Sequence, residues 1–224
     1  MNIAIIFDSM EDNSITPETM LCGQEMYLYS VKQVLIHPAI DAIIMAWREK
    51  ETAKNAYERI TQWKEAGLIT EEKEIRILHG TENIQEIFAY LGKSLPAKIN
   101  TYVLHSIRYP LITQEMIDCV LQNVETNGIA VTTQRSDDEL VTGHDQRILS
   151  NADYRIIKYP AAIQGNNIVL ESLWSFPNIL QKMADCHPVM CETENRNIAI
   201  ACPEDWELAE AVIKIKNDRE GAHL

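Results

Sequence analysis

Five short, almost unbroken apolar runs, each followed by a longer amphipathic stretch, set the tightest limit on how this chain can fold. The runs are Ile3 to Phe7, Asp41 to Trp47, Glu74 to Leu78, Thr101 to Ser106 and Ile129 to Thr133. Runs this short and this apolar read as strands buried on both faces. Between them, helical spacing is expected over about Gln24 to Ile36, Glu49 to Ala66, Glu82 to Leu91 and Thr113 to Asn127. In the second of these, Ala53, Tyr57, Ile60 and Trp63 fall near one face. Gly67, Gly92 and Gly128 stand where helices should stop, because the left-handed turn after a helix favours a residue without a Cβ. Pro203 ahead of Glu204 and Asp205 suits a helix start, where proline's missing N–H is not needed and acids meet the positive end of the dipole. Strand followed by helix, repeated, predicts an α/β domain with a mostly parallel sheet flanked by helices.

The alternation breaks at about 134–159. QRSDDELVTGHDQRILSNADY holds few core residues and reads as a protruding β-arm, with a hairpin turning near Thr142 and Gly143. A helix over about 167–184, strands at Pro188 to Cys191 and Asn197 to Ala201, and a helix from Glu204 to Ile215 close the chain. No repeat or linker divides it, so residues 1–224 are expected to form one domain.

Charge narrows the function. Against 20 basic residues stand 33 acidic ones, a net charge of −13. Binding to nucleic acid or anionic membrane needs Lys and Arg to displace counterions, so neither partner is expected. Five cysteines, an odd number scattered along the chain, suit a reducing compartment better than a disulfide framework. With no signal-like start and no apolar stretch of about 20 residues, a cytoplasmic protein is expected.

In a parallel α/β sheet, ligands bind beyond the C-terminal ends of the strands, which directs attention to the loop after Phe7. A phosphate cradle there needs glycines, so that backbone N–H groups can close on oxygen, and usually a Lys or Arg. This loop has no glycine before Gly23. Residues 1–31 carry five acids (Asp8, Glu11, Asp12, Glu18 and Glu25) and no base. Asp8, Glu11 and Asp12 offer oxygen ligands for a hard cation such as Mg²⁺ or Ca²⁺; a solvated acidic loop is the simpler alternative. Cys186, His187 and Cys191 amount to half of a zinc pattern without its second pair, so buried thiols are the plainer reading. The other histidines show no metal spacing, and no G-x-S-x-G elbow is present. Trp47, Trp63, Trp174 and Trp206 fall in apolar patterns that suit packing.

Four stretches nonetheless form an ordered set: SVKQVLIHPAIDAIIM (Ser30 to Met45), ILHG (Ile77 to Gly80), TYVLHSIRYPLITQEMIDCVL (Thr101 to Leu121) and NIAIACPEDWELAEAVI (Asn197 to Ile213). In order and spacing the chain resembles the cytidylyltransferases that act on 2-C-methyl-D-erythritol 4-phosphate, an isoprenoid precursor, or on ribitol 5-phosphate. The resemblance covers nearly the whole chain. It implies a Rossmann-like nucleotide-diphospho-sugar transferase fold, and an arm through which the protein forms a homodimer. It also implies a reaction joining CTP to a polyol phosphate with release of pyrophosphate.

The family's catalytic groups are mostly replaced. Its glycine-rich loop is the acidic Asp8 to Gln24 segment here, and its following lysine is Glu18. Ser106 stands for its metal-binding Asp, Tyr109 for its Arg, and Ala199 for a lysine; Arg108 falls one residue early. The set that remains implies a candidate site. Arg108 and Lys158 would contact phosphate as catalytic cations, His105, Ser106, Asp138 and Gly80 would meet substrate, and Asp205 with Asp8 would hold Mg²⁺. Losing one preorganised donor at a developing charge costs on the order of 3–4 kcal/mol, and several are absent together. The leading expectation is therefore a homologue that has lost cytidylyl transfer. An active transferase with a rearranged Mg²⁺ site and a ligand-free interaction module are the alternatives.

Overall fold

The computed structural model describes residues 1–8, 15–67, 73–80, 99–135, 140–141, 148–149, 155–165, 183, 187–193 and 197–221. The five apolar runs are strands: β1 (Asn2–Phe7), β4 (Ala42–Trp47), β5 (Glu74–His79), β6 (Thr101–Ser106) and β7 (Ile129–Gln134). Two strands of two residues each, β2 (Met20–Leu21) and β3 (Gln24–Glu25), pair antiparallel ahead of helix α1 (Met26–Ile36). That helix therefore starts two residues later than its apolar spacing suggests. Helices α2 (Lys50–Glu65) and α3 (Gln114–Asn127) follow β4 and β6 as expected. The Thr113 side chain accepts a hydrogen bond from the Met116 N–H at the start of α3, and Gly128 ends that helix at φ 78°. The helix expected at 82–91 lies outside the described residues.

Seven strands, including β10 (Ile156–Gln164) and β11 (Val189–Glu192), form one sheet in the order β11-β7-β10-β6-β1-β4-β5. Six run parallel, and β10 alone is antiparallel, wedged between β6 and β7. The arm is thus shorter at its C-terminal end than expected, since Ile156 to Tyr159 belong to the central sheet. Pro160 conceals this strand in the sequence, because proline cannot donate to a ladder and is found in sheets at edges or bulges. Here it occupies a bulge between Lys158 and Ala161, where the Thr132 hydroxyl donates to the Pro160 carbonyl at 2.7 Å. Within the arm, β8 (Leu140–Val141) and β9 (Ile148–Leu149) pair antiparallel. Strand β11 forms an edge on β7, and residues 197–201 are not a strand. The final helix, α4 (Pro203–Gly221), begins at the predicted proline.

Alternate residues of each strand serve opposite faces. Ala4, Ile6, Ile43, Met45, Trp47 and Val103 pack against α1, α2 and α4, while Ile3, Ile5, Phe7, Ile44 and Leu104 face the other side with Met183. Trp47 is fully buried and meets Tyr27 edge-to-face, and Trp63 and Trp206 pack against the same core. Trp174 lies outside the described residues. No helix among the described residues is long and apolar enough to cross a membrane.

Candidate functional site

The strand order reverses between β1 and β6. In doubly wound sheets such a reversal marks the crevice at the C-terminal edge where ligands bind. Four groups meet this edge: Asp8 after β1, Ser106 to Tyr109 after β6, Gln134 at the end of β7, and Lys158 with Tyr159 near the start of antiparallel β10.

Three charged candidates converge there on one stretch of backbone. The Lys158 ammonium donates to the Asn197 carbonyl at 2.8 Å and to the Gln134 side-chain oxygen. Arg108 Nε donates to the Ile200 carbonyl at 3.1 Å, and the Ile200 N–H returns a bond to the Arg108 carbonyl at 2.8 Å. Asp205 Oδ2 accepts from the N–H groups of Ala201 and Cys202 at 3.0 and 3.2 Å, and from the Cys202 thiol at 3.2 Å. The segment 197–202 is thus gripped at three points. Asn197 adds a fourth by donating its side-chain amide to the Tyr159 carbonyl at 2.9 Å. Beneath this segment, the Tyr159 ring meets Phe7 and Tyr109 edge-to-face at 5.4 and 5.6 Å.

The electrostatics follow from burial. Half-burial holds the Lys158 amine below its ordinary value, because the charged form loses water. Burial lifts the Tyr159 phenol well above its ordinary value, with Tyr109 adding to the effect. Burial also pushes the Asp205 carboxyl up, but the Cys202 thiol, the amides of Ala201 and Cys202, and Arg108 outweigh it and hold the group low.

The remaining candidates do not bind the 197–202 segment in the contacts described. His105 is wholly buried, with Nε2 2.9 Å from the Ser30 hydroxyl on α1, and burial pushes it down to about 3. Ser106 is equally buried, and its hydroxyl accepts the Arg108 N–H at 3.3 Å. Gly80 ends β5, two strands away from β1, at φ 70°. Asp8 donates its N–H to the Ala46 carbonyl at 3.2 Å. Asp138, Glu11, Asp12 and Cys186 lie outside the described residues. Among the described residues, no three His, Cys, Asp or Glu side chains gather closely enough to hold a metal ion. Asp205 Oδ2 is engaged by three donors.

Sequence reasoning missed Gln134 and the particular partners of Asn197. Their partners are main-chain carbonyls or a lysine on a strand that proline disguised, and carbonyl acceptors leave no signature in a sequence.

No family model matches the sequence, and no curated protein matches it. Solved structures do. The 4-diphosphocytidyl-2C-methyl-D-erythritol synthase of Anaerococcus prevotii aligns with a TM-score of 0.71 at 19% identity, covering 95% of this chain and 96% of that one. The 2-C-methyl-D-erythritol 4-phosphate cytidylyltransferase of Thermus thermophilus gives 0.66 at 14%, covering 96% and 100%. A CMP:2-keto-3-deoxy-manno-octonic acid synthetase complexed with CTP gives 0.65 at 12%, again covering 96% and 100%. Likeness at such identities speaks for architecture: this chain has the cytidylyltransferase fold, a nucleotide-diphospho-sugar transferase type of α/β sheet.

Proposed function

We propose that this chain is a divergent cytidylyltransferase-fold protein that no longer transfers a cytidylyl group and has kept the fold for a binding or structural role. One observation carries the reading. Lys158, Arg108 and Asp205, the charged groups best placed to serve a triphosphate, all bind the backbone of residues 197–202. Phosphoryl chemistry relies on cations and metal positioned against phosphate oxygens. Groups committed to holding a loop are poor substitutes. The acidic composition of residues 8–24, without a base, supports the same conclusion from the sequence.

Any ligand it does take would come from the chemistry of its structural neighbours, namely a cytidine nucleotide or a polyol phosphate bound without turnover. Dimerisation through the β8–β9 arm and a cytoplasmic setting belong to the same proposal. The direct test is pyrophosphate release from CTP with 2-C-methyl-D-erythritol 4-phosphate or ribitol 5-phosphate, in the presence of Mg²⁺. Release at the level of a protein-free control is expected. Turnover above that control, abolished in Asp205→Ala, would replace this reading with a rearranged, metal-dependent transferase.

A further inference from the structure

Away from the crevice, two thiols lie together between helix α3 and edge strand β11. Cys191, on β11, is 2% exposed, and its Sγ lies 3.3 Å from the Cys119 carbonyl on α3. Asn123, one helical turn beyond Cys119, donates to the same carbonyl at 2.8 Å and lies 3.8 Å from the Cys119 sulfur. The pair packs among Val120, Val124, Ala130 and Ala162, and Cys119 is the partly buried member. A disulfide needs its two cysteines close together, and the Cys191 sulfur already touches the main chain of Cys119 across two rigid elements.

We propose that Cys119 and Cys191 form a dithiol modification site that a small-molecule disulfide such as oxidised glutathione converts to an intramolecular disulfide. Cys119, the accessible thiol, loses its proton to solvent, and its thiolate attacks one sulfur of glutathione disulfide. A Cys119–glutathione bond forms, the glutathione S–S bond breaks, and one glutathione thiolate leaves. Cys191 then attacks the Cys119 sulfur, forming the protein disulfide and breaking the Cys119–glutathione bond, and its proton passes to the departing glutathione thiolate, which leaves as a thiol. The protein is oxidised by two electrons and the glutathione disulfide is reduced to two thiols. Burial raises the Cys191 thiol, which keeps it protonated and makes it the resolving rather than the entering partner.

The product would staple α3 to β11, which is hydrogen-bonded to β7. Six residues after Cys191 comes Asn197, whose carbonyl Lys158 holds. Oxidation at this pair therefore tethers the strand that leads into the gripped segment.

The experiment treats the full chain with oxidised glutathione and reads free thiols, intact mass and disulfide-linked peptides. Expected are a fall from five titratable thiols to three, a mass loss of two hydrogen atoms, and one linked peptide joining Cys119 to Cys191. Melting should rise by several degrees, since the closed loop is long, and dithiothreitol should reverse the rise. Cys119→Ser, at the partly buried position, should form no intramolecular disulfide, whereas Cys186→Ser should form it normally. A persistent glutathione adduct on Cys119, a link from Cys119 to Cys186, or unchanged thiols in folded protein would each overturn the assignment.

Discussion

Asp205 offers the sharpest test of whether the charged residues at the crevice are scaffold or machinery. Its Oδ2 collects two backbone N–H groups and a thiol at the start of α4, with Cys202 as the capping residue and Asp205 three positions on. That arrangement is the returning half of a capping box. Losing a side-chain cap costs about 0.5–2 kcal/mol, and losing a negative charge at the first turn costs about 0.3–1 kcal/mol at an exposed site. Because Asp205 is only partly buried, solvent screening favours the lower half of each range, and Asp205→Ala should cost about 1.5 kcal/mol. For a chain of this size that is a fall of roughly 3–6 °C in melting temperature. Asp205→Asn keeps the acceptor oxygen and loses only the charge, so its cost should be about a third as large. The folded carboxyl is held below its ordinary value of 3.8. Its stabilisation is therefore complete above that value and disappears as pH falls through the lower, folded one. The gap between wild type and Asp205→Ala should close below about pH 4. The assay is thermal melting of the three proteins at pH 7, with and without Mg²⁺, followed by a descending pH series. A melting rise with Mg²⁺ in wild type that vanishes in Asp205→Ala, or an Asn variant as unstable as the Ala one, would refute the capping assignment.

Other expectations follow from the same contacts. A Cβ on Gly165 would lie 2.2 Å from the Ile99 carbonyl oxygen and 2.9 Å from its carbon, both backbone atoms. Gly165→Ala should therefore cost about 3 kcal/mol, near the upper end for overpacking, seen as a lower urea midpoint. His105 is depressed to about 3 from an ordinary 6.5. Its contribution is fully present above pH 6.5 and lost as pH falls toward 3, at up to about 1.4 kcal/mol per pH unit. Urea titrations from pH 7 to 4 should show a shallower loss of stability in a folded His105→Gln variant than in wild type. Truncating Tyr159, which meets both Phe7 and Tyr109, should cost about 3–5 kcal/mol by Tyr159→Ala, measured by the same titration.

The parts of the fold that could be read in the sequence are those where one physical rule acts alone. Strands buried on both faces appear as apolar runs, so β1, β4, β5, β6 and β7 were legible to within a residue or two. Gly128 and Pro203 marked helix ends through backbone chemistry that depends on a single residue. Strand β10 was hidden because Lys158 and Pro160 interrupt its apolar run, and only the bulge explains how a sheet interior accepts both. At the crevice, residue types were legible through resemblance, but their partners were not. Arg108 and Lys158 bind main-chain carbonyls of residues 197–202, and a carbonyl is present at every position. Asp205 carried two readings, metal ligand and helix start, and the described contacts are those of a helix start.

Calorimetric titration of the folded protein with CTP, with and without Mg²⁺, tests most directly whether this crevice still serves a triphosphate. The committed contacts of Lys158, Arg108 and Asp205 predict no metal-dependent heat even at millimolar CTP. Micromolar binding that requires Mg²⁺ would contradict them and would mean that the acidic loop builds a cation site in place of the missing cradle.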